Sequence, residues 1–146
     1  MVAYFDYIMN SSGYSGTPLA KKLGIKEDFS VLVLKAPEQY WHLFTDLPNN
    51  LNIEQGFGRD KMDFIHLFIT TQEEMILQSE HCKEHLKPNG SLWVSWPKGT
   101  SKIQTDLNRE RIREHLLSIG LVDTKVAAID EDWSGLKFVY RLKDRK

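Results

Sequence analysis

Three apolar runs constrain the fold more than any other feature of the chain: Ser30 to Lys35 (SVLVLK), Asp63 to Ile69 (DFIHLFI) and Ser91 to Trp96 (SLWVSW). A strand with one wet face alternates apolar and polar residues, and none of these does. Uninterrupted apolar strands belong to sheets covered on both faces, which means parallel strands joined through helices.

The segments between the runs fit that plan. TPLAKKLGI at 17–25 reads as a short helix, with Thr17 to cap, Pro18 at the first turn and Gly24 to end it. Pro37 opens a second helical pattern, in which Tyr40, Leu43, Phe44 and Leu47 recur at i, i+3, i+4 and i+7. A short strand is expected at Leu51 to Glu54, and GFGRDK then reads as a loop. Thr70 and Thr71 precede Glu73 and Glu74 by three residues, so either pair makes a capping box. The helix that follows runs to Leu86 and puts Met75, Ile76, Ser79, Cys82 and Leu86 on one side. Pro88-Asn89-Gly90 turns the chain into the third run. Thr105 or Asp106 starts a further helix whose Ile112, Leu116 and Ile119 face inward, and Gly120 stops it. VDTKVAAID and LKFVYRL then alternate as half-exposed antiparallel strands do, joined by EDWSG. The expected fold is therefore α/β: a three-layer open sheet, mostly parallel, with an antiparallel C-terminal strand pair.

A chain of 146 residues with this pattern is expected to be a single domain, with 1–16 as a flexible leader. The net charge of −1 offers no bulk attraction for nucleic acid. The basic run Lys137, Arg141, Lys143, Arg145, Lys146 reads as an exposed strand face and a tail. Cys82 is the one cysteine, so no internal disulfide forms, as suits a reducing cytoplasm. No apolar run has membrane-spanning length, and the N-terminus carries Asp6 without a basic segment. A cytoplasmic protein without a membrane partner is expected.

Open α/β sheets bind ligands beyond the carboxyl ends of their strands. The mouth is thus expected to comprise Lys35, Ala36 and Pro37, then Glu54, Thr70 and Thr71, and lastly Trp96, Pro97, Lys98 and Gly99. Trp96 and Lys98 lead this set: the indole either stacks on a planar ligand or caps the core, and the ammonium meets an anion. Thr70 and Thr71 read more readily as helix caps than as substrate contacts. His66 is the only ionisable group between Phe64 and Phe68, so it either finds hydrogen-bond partners in the core or lines a cavity as a base. His81, Cys82 and His85 share a helix but lack a second ligand cluster, and the reading is a solvated face without metal. Trp133 is expected to be exposed, packing back on the sheet or marking a partner surface. No Gly-x-Ser-x-Gly elbow, phosphate loop or catalytic-cysteine context is present.

DFIHLF, LKPNGSLWV and GLVDTKVAAIDEDWSGLKFVYR, in that order, resemble the class I S-adenosylmethionine-dependent methyltransferase fold with one strand–helix unit missing. GYSGTPLAKKLGI, VSWPKG and DEDWSGLKFV are similar to a small bacterial family designated a domain of unknown function, which implies no activity. The methyltransferase resemblance implies a glycine-rich loop after the first strand and an acid on the ribose hydroxyls at the end of the next. Glu54 fits the acid. LKAPEQY supplies no glycine between Lys35 and Tyr40, and Pro37 lacks an amide proton. No cofactor is therefore expected. The leading expectation is a non-catalytic methyltransferase-like domain that binds a small molecule or protein segment. The alternatives are a methyltransferase with an atypical cofactor loop, and an interaction module using Trp133.

Overall fold

The structure is a computed structural model that describes residues 17–145; the expected leader at 1–16 lies outside the described residues. Nine elements make up the α/β framework: α1 (Leu19–Leu23), β1 (Ser30–Leu34), β2 (Asn52–Glu54), β3 (Met62–Phe68), α2 (Gln72–Glu84), β4 (Leu86–Pro97), α3 (Arg109–Ser118), β5 (Leu121–Ala128) and β6 (Trp133–Tyr140). The strands form one sheet in the order β2-β1-β3-β4-β6-β5. The first three pairings are parallel; β4 with β6 and β6 with β5 are antiparallel.

Alternation along the buried strands sorts the core onto two faces. Leu32, Ile65, Leu67, Val94 and Trp96 join Met75, Cys82, Ile112 and Leu116 under α2 and α3. Val31, Phe64, Phe68 and Trp93 join Ala20, Leu23 and Tyr40 on the opposite face. That second layer is thin, and hydrogen bonds anchor it. Trp93 Nε1 donates to the Leu23 carbonyl at 2.8 Å, inside the core. Gly24 takes the left-handed conformation at the end of α1, so the Ile25 amide reaches back to the Ala20 carbonyl at 2.9 Å. Asp63, at the opening of β3, accepts the Ser30 amide at 2.8 Å and the Lys87 ammonium at 3.1 Å, tying three strands at the amino end of the sheet.

Several boundaries differ from expectation. The Pro37 segment forms only a 3-10 turn at Tyr40–Leu43, because it has no side-chain cap and its aromatic residues turn in on the sheet. Ile76 is 55% exposed, since Met75, Ser79 and Cys82 fill the inner face of α2. Of the two capping possibilities, Thr71 with Glu74 is the one used: Thr71 Oγ1 accepts the Glu74 amide at 3.1 Å, and Glu74 reciprocates. The cap of α3 is Asn108. Thr105 and Asp106 serve α2 instead, as Thr105 Oγ1 donates to the Thr70 carbonyl and Asp106 Oδ1 accepts the Gln72 amide. β4 begins at Leu86 and carries a bulge, because Met62 pairs with Leu86 while Phe64 pairs with Ser91. No helix among the described residues is long and apolar enough to cross a membrane.

Candidate functional site

β2 is only three residues long, and its last residue, Glu54, lies level with Leu32 rather than with the end of β1. β1 therefore stands proud of its neighbour, leaving a step at the carboxyl end of the sheet. The chain after β1 arches over that step. Lys35 turns it sharply, with a left-handed φ of 60° that a side chain adopts at some cost. Ala36 and Pro37 then lead into the Tyr40–Leu43 turn.

The result is a crevice of about 270 Å³ between β1, β2 and the turn. Val33 and Ile53 give it an apolar floor, Pro37, Tyr40 and Trp41 form one wall, and Glu54 and Gln55 supply polar groups. A larger hollow of about 790 Å³ follows the outer face of α3, but every residue lining it except Leu117 is polar. Ligand pockets combine apolar walls with a few fixed polar groups, and the crevice has both, six apolar or aromatic residues beside Glu54 and Gln55.

Tyr40 connects the crevice to the interior. Its hydroxyl is 2.9 Å from His66 Nδ1, and His66 Nε2 is 2.8 Å from Ser95 Oγ. His66 is fully buried, and its ring stacks on Phe68 with centroids 4.3 Å apart. Both ring nitrogens are thus occupied. Burial pushes the imidazole down to about 3, which keeps it neutral at physiological pH, and pushes the Tyr40 hydroxyl well above its ordinary range. His66 is a satisfied core histidine without access to the crevice. Gly135 makes room for this network, since a Cβ there would come within 3.1 Å of Ser95 Oγ and Trp93.

The expected mouth is divided among several places. Glu54 lies in the crevice with Ala36 and Pro37. Lys35 and Thr70 meet at Glu74 instead: the Lys35 ammonium is 3.9 Å from Glu74 Oε2, and the Thr70 amide and hydroxyl donate to Oε1 at 3.0 and 3.1 Å. Those hydrogen bonds from Thr70, foremost the backbone one, lower the Glu74 carboxyl below its usual range. Trp96 is only 7% exposed and packs with Leu107 and Ile112, because it continues the β4 face under α2 and α3; it caps the core there. Lys98 stands on the other side of the sheet opening. Its amide donates to Asp132 O at 2.7 Å, and its charge acts weakly on the Asp130 carboxyl.

Trp133 is 8% exposed, contrary to expectation. Asp130 Oδ1 accepts the amides of Asp132 and Trp133, and this tight turn folds the indole edge-on against Phe68 at 5.0 Å. Cys82 is sealed in the core, where burial pushes its thiol up to about 12 and leaves no reactive thiolate. His81 and His85 pack against Phe57. Among the described residues, no three His, Cys, Asp or Glu side chains gather as a metal site. The aromatic wall of Tyr40 and Trp41 was absent from the expected site. Its signal is an aromatic pair soon after a proline at a strand end, which also reads as core.

No family model matches the chain, and no curated protein matches it in sequence. Solved structures do match. One is an S-adenosylmethionine-dependent methyltransferase from Aquifex aeolicus, at TM-score 0.63 and 15% identity, with 82% of this chain and 86% of that one aligned. Another is DhpI in complex with SAH, at TM-score 0.60 and 12% identity, over 86% and 83% of the chains. Aeropyrum pernix fibrillarin with natively bound S-adenosyl-L-methionine matches at TM-score 0.56 and 14% identity, over 83% and 73%. The fold is methyltransferase-like. The methyltransferase-like sheet agrees with the expected three-layer arrangement, antiparallel C-terminal pair included. The expectation of no cofactor is corrected: structures sharing this fold were solved with the cofactor or its demethylated product in place.

Proposed function

We propose that the chain is an S-adenosylmethionine-binding domain whose nucleoside site is the crevice beyond β1 and β2. The observation that carries this reading is Glu54, a half-buried carboxylate set at the recessed end of β2 beside an apolar floor. Ribose hydroxyls donate well to such a group, and hydrogen bonds to a charged acceptor are the strong ones. Val33, Ile53 and Trp41 present apolar and aromatic surface of the kind a purine ring needs.

The residues present fit the nucleoside end of the cofactor. The other end is built differently from the glycine loop that the resemblance implies. Left-handed Lys35 makes the turn itself, and Pro37 withholds an amide donor from the arch. S-adenosylmethionine, when bound, supplies an electrophilic methyl group on a sulfonium. The chain's own contribution is binding, orientation and the exclusion of water. His66 cannot act as a base toward a ligand, because Tyr40 and Ser95 hold both nitrogens. A second reading, favoured by that sealed histidine, is a domain that binds the nucleoside without transferring its methyl group.

Calorimetric titration with S-adenosylhomocysteine tests the site. Saturable uptake is expected, weakened about 10–100-fold by Glu54→Ala, the loss anticipated for one charged hydrogen-bonding group. Lys98→Ala, which alters the far side of the sheet opening, is expected to leave the affinity unchanged. No heat of binding, or equal affinity for wild type and Glu54→Ala, would overturn the assignment.

A further inference from the structure

The net charge of −1 conceals an uneven surface. Lys125 and Lys137 are direct cross-strand partners on β5 and β6, on the face that α1 covers. The Lys125 ammonium sits 2.8 Å from the Lys22 carbonyl, at the end of α1. The Lys22 ammonium reaches the Ala128 carbonyl at 3.4 Å. Lys137 Nζ lies beside Gly24, 3.8 Å from where a side chain there would begin. Lys26 completes the group from the turn after α1 and lowers the neighbouring Lys137 ammonium through its charge.

Burial first, and the neighbouring lysines second, push Lys22 and Lys137 below the usual ammonium range. Among the described residues, the ion pairs are Lys35 with Glu74, Lys87 with Asp63 and Arg113 with Asp123, and none serves this group. Of the carboxylates close by in sequence or charge, Asp130 is largely buried and feels Lys98, Asp28 accepts the Asn50 amide at 2.7 Å, and Glu27 is exposed next to Lys26 in sequence; none forms an ion pair with the group.

Backbone carbonyls receive two of these ammonium groups, Lys125 at the end of α1 and Lys22 at Ala128, but among the described residues no carboxylate forms an ion pair with any of the four. Like charges set opposite each other across a strand pair destabilise a sheet, and the cost is relieved when a polyanion neutralises them. The charges come from a helix end, a turn and two strands, so they spread along a surface instead of converging on one hollow. A string of evenly spaced anions suits that distribution better than a single phosphate.

We propose that Lys22, Lys26, Lys125 and Lys137 form a surface that binds the phosphodiester backbone of a nucleic acid. It is independent of the crevice reading. The test is fluorescence anisotropy of a labelled single-stranded RNA oligonucleotide with the full chain, at salt concentrations from about 50 to about 200 mM. Micromolar binding is expected at the low end, with log affinity falling against log salt at a slope of about −2 to −3 for three or four neutralised phosphates. The double variant Lys26→Gln/Lys125→Gln is expected to bind about tenfold more weakly with a slope shallower by about 1.4, since each lost contact removes about 0.7. Arg109→Gln/Arg111→Gln, on exposed positions of α3, is expected to bind like wild type. Tryptophan fluorescence from the Trp93–Leu23 contact beneath the patch verifies that each variant is folded.

The proposal is overturned by no saturable binding by the wild type, by an unaltered affinity in the lysine variant, or by poly-glutamate of equal length binding as tightly as RNA. Inorganic phosphate competing beyond its effect on ionic strength would also overturn it, by assigning the lysines to a free anion.

Discussion

Replacing His66 with alanine is expected to cost about 3–5 kcal/mol of stability, the largest loss from any single change considered. The imidazole is completely enclosed, so its removal leaves a cavity against Phe68. It also strands two polar groups in the core, the Tyr40 hydroxyl and Ser95 Oγ, which the ring currently satisfies at 2.9 and 2.8 Å. Leaving such groups unpaired costs more than the hydrogen bonds contributed. For a domain of this size the change corresponds to a fall of about 10–20 °C in melting temperature, readable by calorimetry or circular dichroism. A His66→Ala protein that melts with the wild type would contradict the burial described above.

The second large effect is acid lability from the same residue. His66 is neutral in the fold, with its pKa pushed down to about 3, whereas an unfolded histidine titrates near 6.5. Below about pH 6.5 the unfolded chain binds a proton that the folded chain refuses, so stability falls as pH falls, approaching about 1.4 kcal/mol per unit. Between about pH 7.5 and about pH 4.5 the expected loss from this group is about 2–3 kcal/mol. Glu74 adds to it lower in the range, because its depressed pKa gives stability that disappears as the carboxylate protonates. Asp130 works the other way, since burial raises its pKa and protonation relieves the penalty. Urea midpoints across this window are expected to drop for the wild type, and to drop much less for His66→Gln, which has no proton to take up. Parallel profiles for the two proteins would show that His66 is not the titrating group.

These effects explain which parts of the molecule were readable beforehand. Strands buried on both faces are written as unbroken apolar runs, so SVLVLK, DFIHLFI and SLWVSW gave the parallel core directly. The Thr71–Glu74 box was legible because its chemistry is local. The helix expected after Pro37 failed because its apolar spacing records a different demand: Tyr40 reaches across to His66, a contact between positions far apart in sequence. The same holds for Thr105 and Asp106, which cap toward α2 instead of starting α3. For Trp96 the strand-end position leaves stacking and core capping open, and side-chain alternation decides for capping; for Trp133 the connection implies exposure, and a tight turn puts the ring into the core instead. Of the expected mouth residues, Glu54, Ala36 and Pro37 reach the crevice, and the recess that holds Glu54 depends on the register between β1 and β2. No property of a single residue reports that register. The lysine surface was equally hidden, since its members approach only once β5, β6 and α1 are assembled.

The central claim is that the step between β1 and β2 receives a nucleoside, and the most direct measurement is an amide-resolved NMR titration of the whole chain with S-adenosylhomocysteine. The strongest shifts are expected on Ala36, Tyr40, Trp41 and the Ile53–Gln55 segment, with Lys98 and Trp133 little changed. A spectrum that does not move, or whose changes centre on Lys98 and leave Glu54 untouched, would contradict it.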